Sequence, residues 1–72
     1  MNNDQKLQAL QTQAKNMSKM LNVHVYKHED KRKNDLFYLT NFGNTISPKC
    51  DYTGLQLFML GMNRAIELYI NE

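Results

Sequence analysis

Two short runs, Val23-His24-Val25-Tyr26 and Leu36-Phe37-Tyr38-Leu39-Thr40, decide the fold of this 72-residue chain. Both are rich in β-branched and aromatic residues, and the first alternates in the manner of a half-buried strand. Between them Lys27-His28-Glu29-Asp30-Lys31-Arg32-Lys33-Asn34-Asp35 is charged almost throughout and reads as the loop of a β-hairpin. In the second run Phe37 and Leu39 alternate with Leu36 and Tyr38, so both faces are apolar. That strand is therefore expected to be the more central one. Asn41-Phe42-Gly43-Asn44 signals a turn, after which Thr45-Ile46-Ser47 could add a short third strand before Pro48 ends it.

Outward from the hairpin the periodicity changes from two to about 3.6. Upstream, Asp4 to Leu21 contains no glycine or proline, and Leu7, Leu10, Ala14, Met17 and Leu21 recur at alternating spacings of three and four. This is one helical seam, capped by Asn3 or Asp4, and at 100° per residue it spans only about 80°. Downstream, Thr53-Gly54-Leu55-Gln56 fits a capping box, with Tyr52 and Leu57 at the staple positions. From there to about Asn71 the helix is apolar over roughly 220°. Phe58, Met62, Ala65 and Tyr69 should form the centre of that arc. Met59, Ile66 and Ile70 flank it on one side, and Leu57, Gly61 and Leu68 on the other. Gln56, Asn63, Arg64, Glu67 and Asn71 line the polar arc, with Leu60 stranded among them. One small sheet face does not need so wide an arc, so the first helix or another chain must cover a shoulder.

The expected architecture is α+β, a single small domain over residues 1–72. It runs helix, two or three strands (a β-hairpin with or without a short third strand), helix, with the helices on one face of a small antiparallel sheet and 27–35 as the charged hairpin loop. Double-stranded-RNA-binding domains share this order, and the chain resembles them in topology. Those domains set lysines at the start of the last helix against phosphates. The corresponding stretch here, Thr53-Gly54-Leu55-Gln56-Leu57, has none, so the resemblance does not imply RNA binding there.

Composition narrows the function classes. One cysteine, Cys50, cannot close an intrachain disulfide, which leaves a small core without the usual covalent staple. His24, His28 and Cys50 lack the further ligands a four-coordinate metal site needs, and they read as solvated or edge histidines and a small buried thiol. Cys50 has Lys49 beside it but no ordered acid–base pair, and the Gly43 turn is not a phosphate cradle. No cofactor and no catalytic residue are expected. The net charge of +2 falls short of a dedicated nucleic-acid binder. Met1 to Lys6 is not backed by the apolar stretch of a signal peptide, and no run approaches a membrane span, so a cytoplasmic setting and no membrane partner are expected. Asn and Lys fill 16 of 72 positions. That bias resembles the small accessory proteins of phages and mobile elements.

Two surfaces remain. The run from Lys27 to Asp35 interleaves basic and acidic residues and reads first as a solvated hairpin tip. Its alternative reading makes the Lys31-Arg32-Lys33 triplet, with Lys27 and with help from Lys15 and Lys19, a contact for phosphate or acidic partners. Leu57, Leu60 and Leu68 are the candidates on the last helix. Of the five methionines, Met17 and Met62 should be core, while Met20 and Met59 lie off the seam centres and suit an interface. Gly61 and Ala65, four apart, permit another helix to approach. The expected function is a small non-enzymatic protein-binding module, accessory or inhibitor-like, that occupies a surface of a partner protein. A symmetric homodimer is the default cover for the surplus apolar arc. The alternative is a weak nucleic-acid-binding accessory protein using the basic loop.

Overall fold

The computed structural model describes residues 2–17, 21–28 and 36–70. Lys31, Arg32 and Lys33, the remaining loop residues from Glu29 to Asp35, and Lys19 and Met20 lie outside the described residues. The elements run α1 (Asn3–Lys15), β1 (Val23–Lys27), β2 (Phe37–Asn41), β3 (Asn44–Thr45) and α2 (Tyr52–Ile70). The three strands form an antiparallel sheet in the order β1-β2-β3, which makes β2 the central strand. In the β1–β2 ladder Val25 pairs with Leu39 and Tyr26 with Tyr38, so buried and solvent-facing residues fall on opposite faces.

One face carries the core. Val23 and Val25 of β1 and Phe37 and Leu39 of β2 pack with Leu10 and Ala14 of α1, Met17 beyond it, and Leu55 and Met59 of α2. Both helices thus lie on the same side of the sheet. Leu10, Phe37, Leu39, Leu55 and Met59 are fully enclosed. Each such side chain contributes about 2–3 kcal/mol of transfer free energy, which is how a small domain holds together without a covalent staple. Polar groups on α1 add directional ties. Gln11 Nε2 donates to the Val25 carbonyl at 3.4 Å, and Gln13 Nε2 donates to the Gln56 carbonyl at 3.1 Å.

The first helix starts one residue before the expected cap and ends well before Leu21. Asn2 is the cap: its side chain accepts from Gln5 N at 2.8 Å, while Gln5 Oε1 accepts from Asn2 N at 3.0 Å. This reciprocal pair outcompetes the single bond that Asn3 or Asp4 would offer. At the other end Asn16 stops the helix, its N–H shared between the Thr12 and Gln13 carbonyls. Asparagine is a poor interior residue, and the chain must reverse before Val23 can join the sheet. The reversal ends at Asn22 (φ 46°), where a left-handed conformation suits asparagine. The apolar seam survives this early ending. Met17 is still buried and Leu21 still packs against the core.

The turn between β2 and β3 places both central residues, Phe42 (φ 49°) and Gly43 (φ 83°), in the left-handed region. This is the geometry of a two-residue type I′ hairpin, for which Asn-Gly is the favoured pair. Phenylalanine sits there against its steric preference, and its ring is exposed. The third strand is Asn44–Thr45, ending sooner than the expected Thr45–Ser47. Beyond it Ile46 N still donates to the Leu39 carbonyl at 2.9 Å. The Leu39 N–H then finds the Ser47 hydroxyl at 2.8 Å in place of a backbone carbonyl. The segment rejoins β2 at Cys50, whose N–H and carbonyl both bond Phe37. A side chain thus replaces one rung, and Pro48, which has no N–H to give, occupies the bulge.

The second helix departs from the expected start. Asp51, and not Thr53, supplies the cap: its Oδ1 accepts from Gly54 N at 2.7 Å. A carboxylate at a helix N-terminus is favoured over a hydroxyl by the partial positive charge there. Gly54 leaves room for this cap, because a Cβ at that position would lie 2.9 Å from the same oxygen and 3.2 Å from Cys50 Cβ and would push the Asp51 carboxylate aside.

Candidate functional site

The orientation of α2 about its own axis determines which side chains are available. Leu55 and Met59 face the core, with Phe58 and Met62 partly buried beside them. The sequence centres the apolar arc on Phe58, Met62, Ala65 and Tyr69. The structure rotates that centre toward Met59, so Met59 is core and not interface, while Ala65 and Tyr69 are exposed. The reason is positional: only the first two turns of α2 contact the sheet through a buried residue. After Met59 no described side chain of α2 is buried. The helix is 19 residues, about 28 Å long. The domain itself measures 44 × 24 × 16 Å.

The outward side of α2 is apolar as well. At 100° per residue Leu57, Gly61, Arg64 and Leu68 fall within about 60° of one another, opposite the Leu55–Met59 line, and Leu60 flanks them. Leu57 is 62% exposed, Leu60 56% and Leu68 56%. Tyr69, at 80%, extends the patch along one edge. Polar cover is thin. Arg64 Nη1 and Glu67 Oε2 are 3.9 Å apart, and Asn63 Nδ2 donates to Glu67 Oε1 at 3.3 Å. Both pairs keep Glu67 engaged along its own helix. Gly61 has nothing within 4 Å of the position a Cβ would take. An interior helical glycine costs about 1 kcal/mol relative to alanine, so the open groove at Gly61 is not there for the helix's own stability.

Lys27 belongs to a second, separate surface. It is the last residue of β1, paired with Phe37, and His28 N still donates to the Leu36 carbonyl at 2.8 Å. The hairpin ladder therefore runs two residues, Lys27 and His28, into the segment expected as loop. Lys27 and His28 line an open cleft of about 590 Å³ with Tyr26 and Tyr38, whose rings stack with centroids 5.8 Å apart. No α2 residue lines this cleft, so the structure does not bring Lys27 together with Leu57, Leu60 and Leu68. The tyrosine pair is absent from the residues that the sequence singles out. Its signal is the equal alternation of the two runs, which places Tyr26 across from Tyr38 once the register is known.

His24 Nε2 lies 2.8 Å from Asn22 Oδ1, and the Cys50 thiol donates to the Pro48 carbonyl at 3.2 Å. Among the described residues no group of three or more His, Cys, Asp or Glu is placed to hold a metal ion. No helix among them is long and apolar enough to cross a membrane. Comparison with protein-family models, curated proteins and solved structures gives no match.

Proposed function

We propose that this domain is a non-enzymatic protein-binding module whose contact surface is the outward face of α2. The observation that carries the reading is the exposure of Leu57, Leu60 and Leu68 on the side of the helix opposite its core line. A helix needs one apolar stripe to dock on a sheet, and α2 has a second. Contiguous apolar patches of this kind mark contact surfaces in folded domains. The module acts by covering part of another chain, in the manner of an accessory or inhibitor protein. The free thiol of Cys50 fits a reducing, cytoplasmic setting, and the Asn/Lys-rich composition fits a phage or mobile-element origin. The test is paramagnetic solvent perturbation of leucine methyls in the dilute chain. Strong broadening at Leu57, Leu60 and Leu68, with Leu55 unaffected, is expected. Protection of all four would remove the reading.

A second reading rests on the stacked Tyr26–Tyr38 pair beside Lys27 and His28, at the root of the loop that holds Lys31, Arg32 and Lys33. Aromatic rings on an open sheet face next to cations can stack single-stranded bases. Titration with single-stranded and duplex oligonucleotides at two salt concentrations tests it. Binding that falls steeply with salt and is lost in Tyr38→Ala supports it, and no binding at low salt removes it.

A further inference from the structure

We infer that the occupant of the α2 face is a second copy of this chain, joined by antiparallel pairing of the two α2 helices about a two-fold axis between Met62 and Asn63. This pairing rests on the reading of α2 as the contact surface and names its partner. The spacing of the stripe carries it. Leu57, Leu60, Gly61, Arg64, Ala65 and Leu68 are separated by three, one, three, one and three residues, a pattern that reads the same in both directions. An antiparallel copy therefore sets Leu57 against Leu68 of the second copy, Leu60 against its Ala65, and Gly61 against its Arg64. Each pair occurs twice. A two-fold contact must be self-complementary, and here large side chains meet small ones at the centre while leucines meet leucines at both ends.

Charge selects the direction. In a parallel pair Arg64 would face Arg64 of the other copy across an apolar seam, while Gly61 would face an empty groove. Antiparallel pairing separates the two guanidinium groups and lays each arginine stem over the open glycine. Its aliphatic part then covers backbone while the charged end reaches water. The axis lies about 1.5 residues from the midpoint of Tyr52–Ile70, so nearly the whole helix is overlapped. Because the stripe points away from the sheet, the two domains end on the outside of a central helix pair and do not collide.

The area suits a weak contact. Leu57, Leu60 and Leu68 together expose roughly 300 Å² per chain, at the lower end of patches that mark contact sites. Two copies withdraw up to roughly 600 Å² from these leucines, and the arginine stems, Ala65 and the rim supply the remainder of the approximately 1,000 Å² at which specific interfaces begin. An interface of that size fits a dimer that dissociates on dilution, not an obligate one.

The test uses the full chain and two charge variants, Leu57→Glu and Leu68→Lys, each checked for native circular dichroism. Sedimentation equilibrium of the wild type should give twice the 8.5 kDa chain mass at high micromolar concentration. Each variant alone should self-associate at least about tenfold more weakly, since each change enters the interface twice. Mixing the two variants should restore the dimer. The mixed pair sets the introduced glutamate against the introduced lysine at one end, and Leu57 against Leu68 at the other. Parallel pairing predicts no such rescue. A wild type that stays monomeric, variants that dimerise as well as wild type, or a mixture that stays monomeric would each overturn the inference. A monomer whose Leu57, Leu60 and Leu68 methyls remain open to the paramagnetic probe loses the second copy but keeps the protein-binding reading. A monomer with those methyls shielded loses both.

Discussion

The two halves of α2 carry similar numbers of apolar residues and have opposite fates. From Tyr52 to Met59 the helix is capped by Asp51, tied to α1 through the Gln56 carbonyl, and anchored by Leu55 and Met59 under the sheet. From Leu60 to Tyr69 it has apolar residues in similar number but no buried one. Hydrophobicity alone therefore does not say where a helix is docked. What differs is the presence of a facing layer, and three short strands supply that layer for only about two turns. Beyond Met62, the last side chain of α2 to pack against the core, the helix is surplus to the fold of one chain, and the outward leucines from Leu57 to Leu68 are assigned to a contact with another.

The largest expected effect separates the two halves directly. Met59→Ala should destabilise the chain by about 2–5 kcal/mol in urea unfolding at low concentration, through the cavity it leaves. Leu68→Ala under the same conditions should shift stability by no more than about 0.5 kcal/mol, as an exposed substitution does. Equal costs would mean that the second half is docked too.

Next in size is the layer that holds the first half. Ser47→Ala removes the hydroxyl that accepts from Leu39 N, leaving a buried N–H unpaired, and should cost about 1–3 kcal/mol. Ser47→Thr, which keeps the acceptor, should recover part of that loss. Unfolding midpoints unchanged by the alanine would show that the Leu39 N–H has another partner.

The smallest effect concerns the cap. Asp51→Ala should cost about 1 kcal/mol, while Thr53→Ala should cost less than about 0.5 kcal/mol. The opposite order would return the helix start to Thr53.

The hairpin, the central place of β2 and the helix-strand-helix order were legible because alternation and helical spacing are properties of the chain itself. Cap choice was less legible. Asn2-x-x-Gln5 and Thr53-x-x-Gln56 have the same form, yet only the first is used as a cap, because Asp51 stands where the chain turns into α2 and offers a charged acceptor. The rotation of α2 was not legible, since it depends on which turns the sheet reaches. A 220° arc centred near Met62 is compatible with several rotations, roughly any that keeps an apolar stripe inward, and packing chose the one that buries Met59. The exposed leucines could be named from the sequence because a 220° arc is wider than one small sheet face can cover, which leaves roughly the Leu57–Leu68 shoulder and the stranded Leu60 without a facing layer. Ser47 read only as the end of a short third strand before Pro48, and nothing in the sequence signalled that its hydroxyl would take the place of a backbone carbonyl opposite Leu39.

Amide hydrogen exchange along α2, measured on dilute and concentrated samples, asks whether the sheet holds one half of the helix and a second chain the other. Amides from Leu55 to Leu60 should be protected to the same degree at both concentrations, because the sheet holds them. Amides from Arg64 to Tyr69, beyond the last contact with the core, should exchange rapidly when dilute and become protected as concentration rises and a second chain covers the leucine stripe. Uniform protection of the whole helix in the dilute sample would show instead that both halves belong to the fold of one chain.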